Sequence, residues 1–593
     1  MGVVQIEPRN SGVVLGSMIS STTPQQIRLI LFWLLISSTS SISIVTQGRH
    51  FWYEEAGRSL QQRLRGLDTP TSRERARSIV LLVGDGLGLS TSTAARIFKG
   101  QRQGELGEDH LLSWDKFPAV ALAKTYNLDA QIGESSACAT ALLCGVKANY
   151  ETVGLDAGAK FEDCYSTLHS KVESLMLWAQ REGKATGLVT NTRVSHATPA
   201  ALYAHSASRY WEDDAKVPPK ARKTCKDITR QLIEDEPGRN INVVLGGGRR
   251  HWLPKVARDP EQTVEEGRRL DGRNLIDDWL RDKKKRGLKG EYVWNKQQMD
   301  TVNPAKTDYL LGLFAYSHME FEAERDQRST GDPSLAEMTT KALKILMKNP
   351  NGFFLFVESG RIDHAHHYNN PYRALDETLV LDDTVLTVLS TVNLSDTLLV
   401  LTSDHSHVLT LGGLATPRGN PILGTDPKPS DTDGLPYSSL LYGNGPGHTS
   451  PRSIPSNSST GGLNAVHSAA VPRQWATHGG EDVPVYAQGP LARELFSGTV
   501  DQSYIPHAIA YIACLGPHKA RCSSSENATR STVGCTVTES PKSGTAGAGT
   551  GAGLVLASSV MSDDNSLVSL SPAPFRCFII SPLILLTLLY AIT

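Results

Sequence analysis

The stretch GFFLFVESGRIDHAHH (352–367) decides how the rest of the chain is read. FFLFV is an unbroken apolar run of strand length, which fits a strand buried on both faces, as inside a parallel sheet. Directly after it come Glu358, Asp363 and three histidines, a dense set of groups able to hold a cation. Asp363 and His367 are four residues apart and would share one face of a helix, so only some of these groups can share one ion. Four further apolar runs have the same character: SIVLLV (78–83), TGLVT (186–190), INVVLG (241–246) and TLLVLT (397–402). Helix-like segments stand around and between them, at 51–67, 167–184 and 335–349. Strands without polar alternation, separated by helices, predict an α/β fold with a large, mostly parallel central sheet and helices on both faces. The stretch 412–477 is rich in Gly, Pro, Ser and Thr and reads as a loop-rich insertion. The KKKR run at 283–286 reads as a solvated helix end.

At 593 residues and 39% hydrophobic, the chain can bury a large core. A net charge of −1 gives no reason to expect nucleic acid as a partner. Residues 1–47 read as a leader, with Arg28 before the apolar run LILFWLLI (29–36) and small residues after it. At the other end, a Ser/Gly/Thr-rich linker (523–576) precedes the apolar tail CFIISPLILLTLLYAIT (577–593). A small-residue site, a spacer and a terminal apolar tail form the pattern of a glycosylphosphatidylinositol (GPI) anchor signal; a spanning helix is the alternative. Secretion would allow disulfides: Cys514 with Cys522 as a local loop, Cys164 with Cys225 between two surface segments. Asn393, Asn457 and Asn527 lie in glycosylation sequons.

The chemically capable residues sit just after the apolar runs. Asp85 follows the first; His196 and Thr198 follow TGLVT; Glu358, Asp363 and His367 follow FFLFV; Asp404, His405 and His407 follow TLLVLT. In a parallel sheet the carboxyl ends of the strands share one edge, so four separate segments deliver these groups to one crevice. Singly, each is ordinary, since an Asp-Gly after a strand is usually a turn. Together their carboxylates would repel one another unless cations neutralised them. Mixed His and Asp ligands suit zinc, and oxygen ligands suit magnesium. GESSACATALLCGVK (133–147) offers a serine at a helix start, where free N–H groups favour an anion. A serine beside metal ions can act as nucleophile, although Ser is also a common capping residue.

With these residues assembled, the chain from about 50 to 522 resembles the metazoan alkaline phosphatases of the secreted, GPI-anchored type. The resemblance rests on VGDGLG (83–88), TALLCGVKAN (140–149), TRVSHATPAALYAH (192–205), FLFVESGRIDHAHH (354–367), DHSHV (404–408), LLYGNGPG (440–447) and THGGEDVPVYAQGP (477–490). It implies hydrolysis of phosphate monoesters through a phosphoserine, on the outer face of the plasma membrane, by a homodimer. It implies two zinc ions and one magnesium: one zinc with Asp363, His367 and His478, the other with Asp85, Asp404 and His405 and, during turnover, Ser135. Magnesium would take Asp85, Thr198 and Glu358, with His196 also counted among the candidate ligands. His364 and His407 would support the ligands from behind. Arg209 would grip two phosphate oxygens with its planar fork. Residues 51–67 resemble the helix that embraces the partner subunit, and 412–477 the crown insertion. The resemblance makes 48–522 the catalytic domain.

Two departures leave questions open. The family reads Asp-Ser-Ala at the nucleophile, whereas Glu134-Ser135-Ser136 stands here, so Ser136 remains an alternative to Ser135. Glu134 either reaches Arg209 or points to solvent. Animal relatives often carry a calcium site using a Phe-Glu pair, whereas here Phe314 is followed by Ala315; Glu261 and Asp332 remain as candidate calcium ligands. A sulfatase is disfavoured, because GESSACAT lacks the Cys/Ser-X-Pro-X-Arg context that such enzymes need.

Overall fold

Alternate residues of one strand feed two separate cores. Ile79, Leu81 and Val83 pack in one cluster with Leu142, Trp178 and Ile509. Val80 and Leu82 pack in the other with Phe98, Leu343 and Val385. Both faces of the sheet are therefore covered by helices, which is why its strands carry no polar alternation. The structure is a computed structural model that describes residues 47–65, 75–453 and 455–522.

The strands are β1 (Ser78–Gly84), β2 (Ala119–Lys124), β3 (Ala185–Arg193), β4 (Val243–Gly247), β5 (Gly290–Val293), β6 (Tyr309–Leu313), β7 (Phe353–Ser359) and β8 (Thr397–Thr402). They continue with β9 (Ser406–His407), β10 (Leu409–Leu411), β11 (Leu440–Gly445), β12 (Ala469–Pro472), β13 (His478–Gly479), β14 (Val483–Gln488) and β15 (Gly498–Asp501). Ten form one sheet in the order β15-β2-β14-β8-β1-β7-β3-β4-β6-β5. β14 pairs antiparallel with both β2 and β8, and every other pairing in the sheet is parallel. The carboxyl ends of β1, β3, β7 and β8 thus lie along one edge, in register: Val83 beside Glu358 and Thr402, Glu358 beside Thr190.

The five apolar runs all form strands, β1, β3, β4, β7 and β8. The helix expected at 335–349 runs Leu335–Leu346 and starts in a capping box of Ser334 and Glu337. The helix expected at 51–67 runs Arg49–Leu64 and buries Trp52, Ala56 and Leu60 in the core of its own chain. The segment 167–184 is not one helix. A 3-10 turn, Cys164–His169, precedes a short helix, Leu175–Arg181, which begins where Ser174 accepts a hydrogen bond from Leu177 N. Lys171 is held in a bridge with Leu155, and Leu168 is left half exposed. Between 412 and 477 lie β11 and β12, which join β10 in a small three-stranded sheet.

The KKKR run does end a helix, Leu275–Lys285, but Lys283 is not solvated. Its ammonium is buried, donates to Arg239 O at 2.6 Å and lies over the Trp279 and Tyr309 rings. Cys164–Cys225 and Cys514–Cys522 are bonded; Cys138 and Cys144 are free and buried. No helix among the described residues is long and apolar enough to cross a membrane. The leader, the Ser/Gly/Thr-rich linker, the apolar tail and Asn527 lie outside the described residues.

Candidate active site

Asp85 follows β1 directly and is fully buried. The Asp-Gly turn there puts Gly86 at φ +76°, and a Cβ at that position would meet His407 at 2.8 Å and the Asp363 backbone at 3.0 Å. Only glycine lets the backbone pass so close to the next cluster. Glu358 is the penultimate residue of β7, before Ser359, and the short helix Arg361–His367 then presents Asp363 and His367 together. Asp404 and His405 follow β8, and β9 pairs with β13 so that His407 lies beside His478.

Three groups of candidate ligands result. In the first, Asp363, His367 and His478 converge with His407. His367 Nε2 is 3.3 Å from Asp363 Oδ2; His478 Nε2 is 3.4 Å from Asp363 Oδ1 and 3.4 Å from His367 Nε2. Tetrahedral zinc with bonds of about 2.0–2.1 Å spaces its ligand atoms roughly 3.3 Å apart. The tautomers agree, since His367 Nδ1 donates to Ala476 O at 2.7 Å and His478 Nδ1 to Gly133 O at 2.8 Å. In the neutral imidazoles both Nε2 lone pairs then face inward, and two lone pairs at 3.4 Å repel unless a cation lies between them. His407 Nε2 donates to Asp363 Oδ1 at 2.5 Å, so it supports the aspartate from behind.

In the second group, His405 Nε2 lies 3.3 Å from Asp404 Oδ2, 3.6 Å from Asp85 Oδ1 and 3.1 Å from Ser135 Oγ. In the third, Asp85, Glu358 and His196 share ligand spacing. Both Asp85 oxygens, Glu358 Oε1, Asp404 Oδ2 and Thr198 Oγ1 are buried without a hydrogen-bond partner. Orphaned buried acceptors are costly, and here they cluster where cations would satisfy them. Burial, then Asp404 and Asp363, pushes the Asp85 carboxyl well up. Burial pushes Glu358 up to about 7 against the pull of the Thr190 and Thr192 hydroxyls, and Asp404 up to about 6. Asp363 is held well down by His367 and His407 despite its burial.

Ser135 and Ser136 face different neighbours. Ser135, at the start of the helix Ser135–Cys144, turns Oγ toward His405. Ser136 Oγ donates to both Glu134 oxygens, at 3.0 and 2.7 Å. Glu134 does not point to solvent. Its buried carboxylate caps the helix through Ser136 N and Ala137 N, accepts from Glu151 N at 3.0 Å, and pairs with Arg209 Nη1. Burial would raise its pKa, yet Arg209 and these donors hold it below the ordinary value. Glu134→Ala should therefore loosen Arg209 and raise the inhibition constant for inorganic phosphate about tenfold, with kcat retained or increased. Steady-state inhibition of both forms at one pH checks this; an unchanged constant would mean that Glu134 does not orient Arg209.

Sequence reasoning missed His318, which meets His196 and His364 in a fourth group, a cluster of three rings. It follows β6, whose short run is interrupted by Gly312 and gives a weak strand signal. Arginines face all three imidazoles: Arg193 at His318 Nε2, Arg361 at His364 Nδ1 and Arg209 at His196 Nε2. A guanidinium can only donate, so these nitrogens accept and the cluster is arranged against a cation. His366 bridges Thr91 and Tyr442. At the proposed calcium position, Glu261 accepts from Arg249, and Asp332 is buried with its carboxyl pushed up to about 7 by burial and Glu261.

Comparison with known proteins gives the family. The alkaline phosphatase family model matches residues 76–515. The chain is 47% identical over 500 residues to the chicken (Gallus gallus) tissue-nonspecific alkaline phosphatase, covering 83% of this chain and 95% of that protein. It is 46% identical over 477 residues to the alkaline phosphatase of Atlantic cod (Gadus morhua), covering 79% and 98%. Among solved structures, Thermus thermophilus alkaline phosphatase aligns with a TM-score of 0.53 at 23% identity, over 77% of this chain and 93% of that one, which shows the shared fold. With the family model spanning the whole sheet and nearly half of the aligned residues identical to the chicken enzyme, the chain belongs to the alkaline phosphatase family.

Proposed function

We propose that this metal-binding alkaline phosphatase hydrolyses phosphate monoesters through a phosphoserine at Ser135, with two zinc ions and one magnesium. The observation that carries the reading is the set of orphaned buried carboxylate oxygens beside Ser135 and His405. Asp363, His367 and His478 would hold one zinc, and Asp85, Asp404 and His405 the other. Asp85, Thr198 and Glu358 would hold magnesium, with His196 beside them. When bound, the cations would neutralise phosphate charge, lower the proton affinity of the serine hydroxyl and stabilise the leaving oxygen. Ser135 Oγ would attack in line, and Glu134, paired with Arg209 Nη1, would hold the Arg209 fork toward two phosphate oxygens. The helix start at Ser135 adds free N–H groups where negative charge gathers. A calcium ion at Glu261 and Asp332 would have to displace Arg249 and lacks a carboxylate at Ala315, so the proposal stops at three ions. Assay of residues 48–522 on an aryl phosphate, with elemental analysis of the same sample, tests the reading. Hydrolysis with two zinc and one magnesium per chain is the expected result.

The catalytic domain 48–522, with its crown insertion at 412–477, is proposed to be secreted after loss of 1–47. Linker 523–576 and tail 577–593 would then give it a GPI anchor on the outer face of the plasma membrane, as a homodimer glycosylated at Asn393, Asn457 and Asn527. Asn393 is exposed, as a glycan requires. Phosphatidylinositol-specific phospholipase C should release most of the activity from intact cells. Activity that stays on the membrane would favour a spanning helix at 577–593 instead.

A further inference from the structure

Thr190, Asn191 and Thr192, at the carboxyl end of β3, all hold the turn that carries Glu358. Thr190 lies beside Glu358 in the β3–β7 register. Both threonine hydroxyls donate to Glu358 Oε2, Thr192 at 3.1 Å, which leaves Oε1 as the orphaned oxygen free for a cation. Asn191, between them, makes a different pair of bonds. Its Oδ1 accepts from Gly360 N at 2.8 Å, and its Nδ2 donates to Glu377 Oε2 at 3.0 Å. A backbone N–H only donates, so the amide must turn its oxygen to Gly360, and its nitrogen is left for Glu377.

Glu377 stands on the helix Pro371–Thr391 and is buried, as is Asn191. Its Oε1 accepts from Glu322 N at 2.7 Å, and its backbone O accepts from Ser359 Oγ at 3.2 Å. The Glu358–Gly360 turn is thus fastened to that helix at two points, by Ser359 directly and by Gly360 through Asn191. The turn has little slack. A Cβ on Gly360 would collide with Thr192 Cγ2 and come within 3.1 Å of the Glu358 carboxyl carbon. Ser359 O also accepts from Asp85 N at 3.2 Å, so the same turn bears on both carboxylates of the proposed magnesium group.

Resting on the magnesium assignment above, we propose that Asn191 and Glu377 are positioning residues for that ion, acting through the Gly360 turn to hold Glu358 and Asp85 at ligand spacing. Neither side chain belongs to a ligand group itself. Partners that orient ligands from behind typically change metal affinity by about 10–100-fold. The proposed zinc ligands are oriented by other bonds: His367 by Ala476 O, His478 by Gly133 O and Asp404 by Gly86 N. The effect should therefore fall on magnesium.

The test is calorimetric titration of magnesium into the zinc-loaded enzyme, with zinc content measured on the same samples. Asn191→Leu, which removes both bonds at similar volume, should raise the magnesium Kd about tenfold or more with two zinc per chain retained. Glu377→Leu should behave alike, whereas Glu377→Gln, which keeps an oxygen for Asn191, should stay within about threefold of the unmodified enzyme. Turnover of an aryl phosphate at saturating magnesium should be retained, with the midpoint of activation moved to higher magnesium. Ser359→Ala removes one hydroxyl and carries the test if the leucine variants do not fold; a smaller rise in the magnesium Kd is expected there. A lowered Tm with an unchanged magnesium Kd would mark a structural role and overturn the proposal. Loss of zinc in step with magnesium would overturn it as well. Failure of the unmodified enzyme to bind magnesium would instead count against the three-ion reading, and the proposal would fall with it.

Discussion

Ser135→Ala should abolish the phosphoenzyme and cut kcat by at least about 10³-fold, while Ser136→Ala should cost about tenfold or less. Removing a nucleophile in other hydrolases costs far more than removing a neighbour that only positions it. The two hydroxyls face different partners. Ser135 Oγ lies 3.1 Å from His405 Nε2, among the candidate metal ligands, whereas Ser136 Oγ is bonded to Glu134. Loss of the Ser136 hydroxyl would leave Glu134 with its backbone donors and Arg209, so the cap and the ion pair survive. Acid-quenched enzyme labelled with phosphate, digested and mapped by mass spectrometry, reads the modified serine. A label on Ser136 would move the nucleophile by one residue and contradict the geometry.

Chelation should have the second large effect, on activity and stability together. Asp85, Asp404 and Glu358 are fully buried, and burial and mutual repulsion push all three carboxyls up. A strong chelator should reduce hydrolysis to about 1% or less, and zinc plus magnesium should restore it. The native state would also lose the binding free energy of three ions, about 4 kcal/mol for each site occupied a thousandfold above its Kd. Tm should therefore fall by about 10 °C or more, measured by calorimetry with and without chelator. Full activity and an unchanged Tm after metal removal would end the two-zinc reading.

How much of this was legible depended on how continuous each signal was. β1, β7 and β8 are unbroken apolar runs buried on both faces, and Asp85, Glu358 and Asp404 stand at or just past their ends, so both strand and residue were readable. β2 alternates buried and exposed residues near the sheet edge, and β14 contains Pro484; neither resembles the parallel pattern. His478 sits in a two-residue strand whose place is set by pairing with His407, a contact far along the chain, and only the family resemblance pointed to it. Lys283 shows the reverse failure, a charge run whose first member found a carbonyl and two rings inside the fold. The choice between Ser135 and Ser136 was likewise invisible locally, because adjacent hydroxyls differ only in what the tertiary structure sets opposite them.

The central claim is that three ligand groups at one sheet edge hold two zinc ions and a magnesium, with Asp85 shared. Anomalous diffraction at the zinc edge, on crystals of the holoenzyme, tests it most directly. The account predicts two strong peaks, one among Asp363, His367 and His478 and one among Asp85, Asp404 and His405, with no zinc peak between Glu358 and Thr198. A peak among His196, His318 and His364, or none beside Asp85, would contradict it.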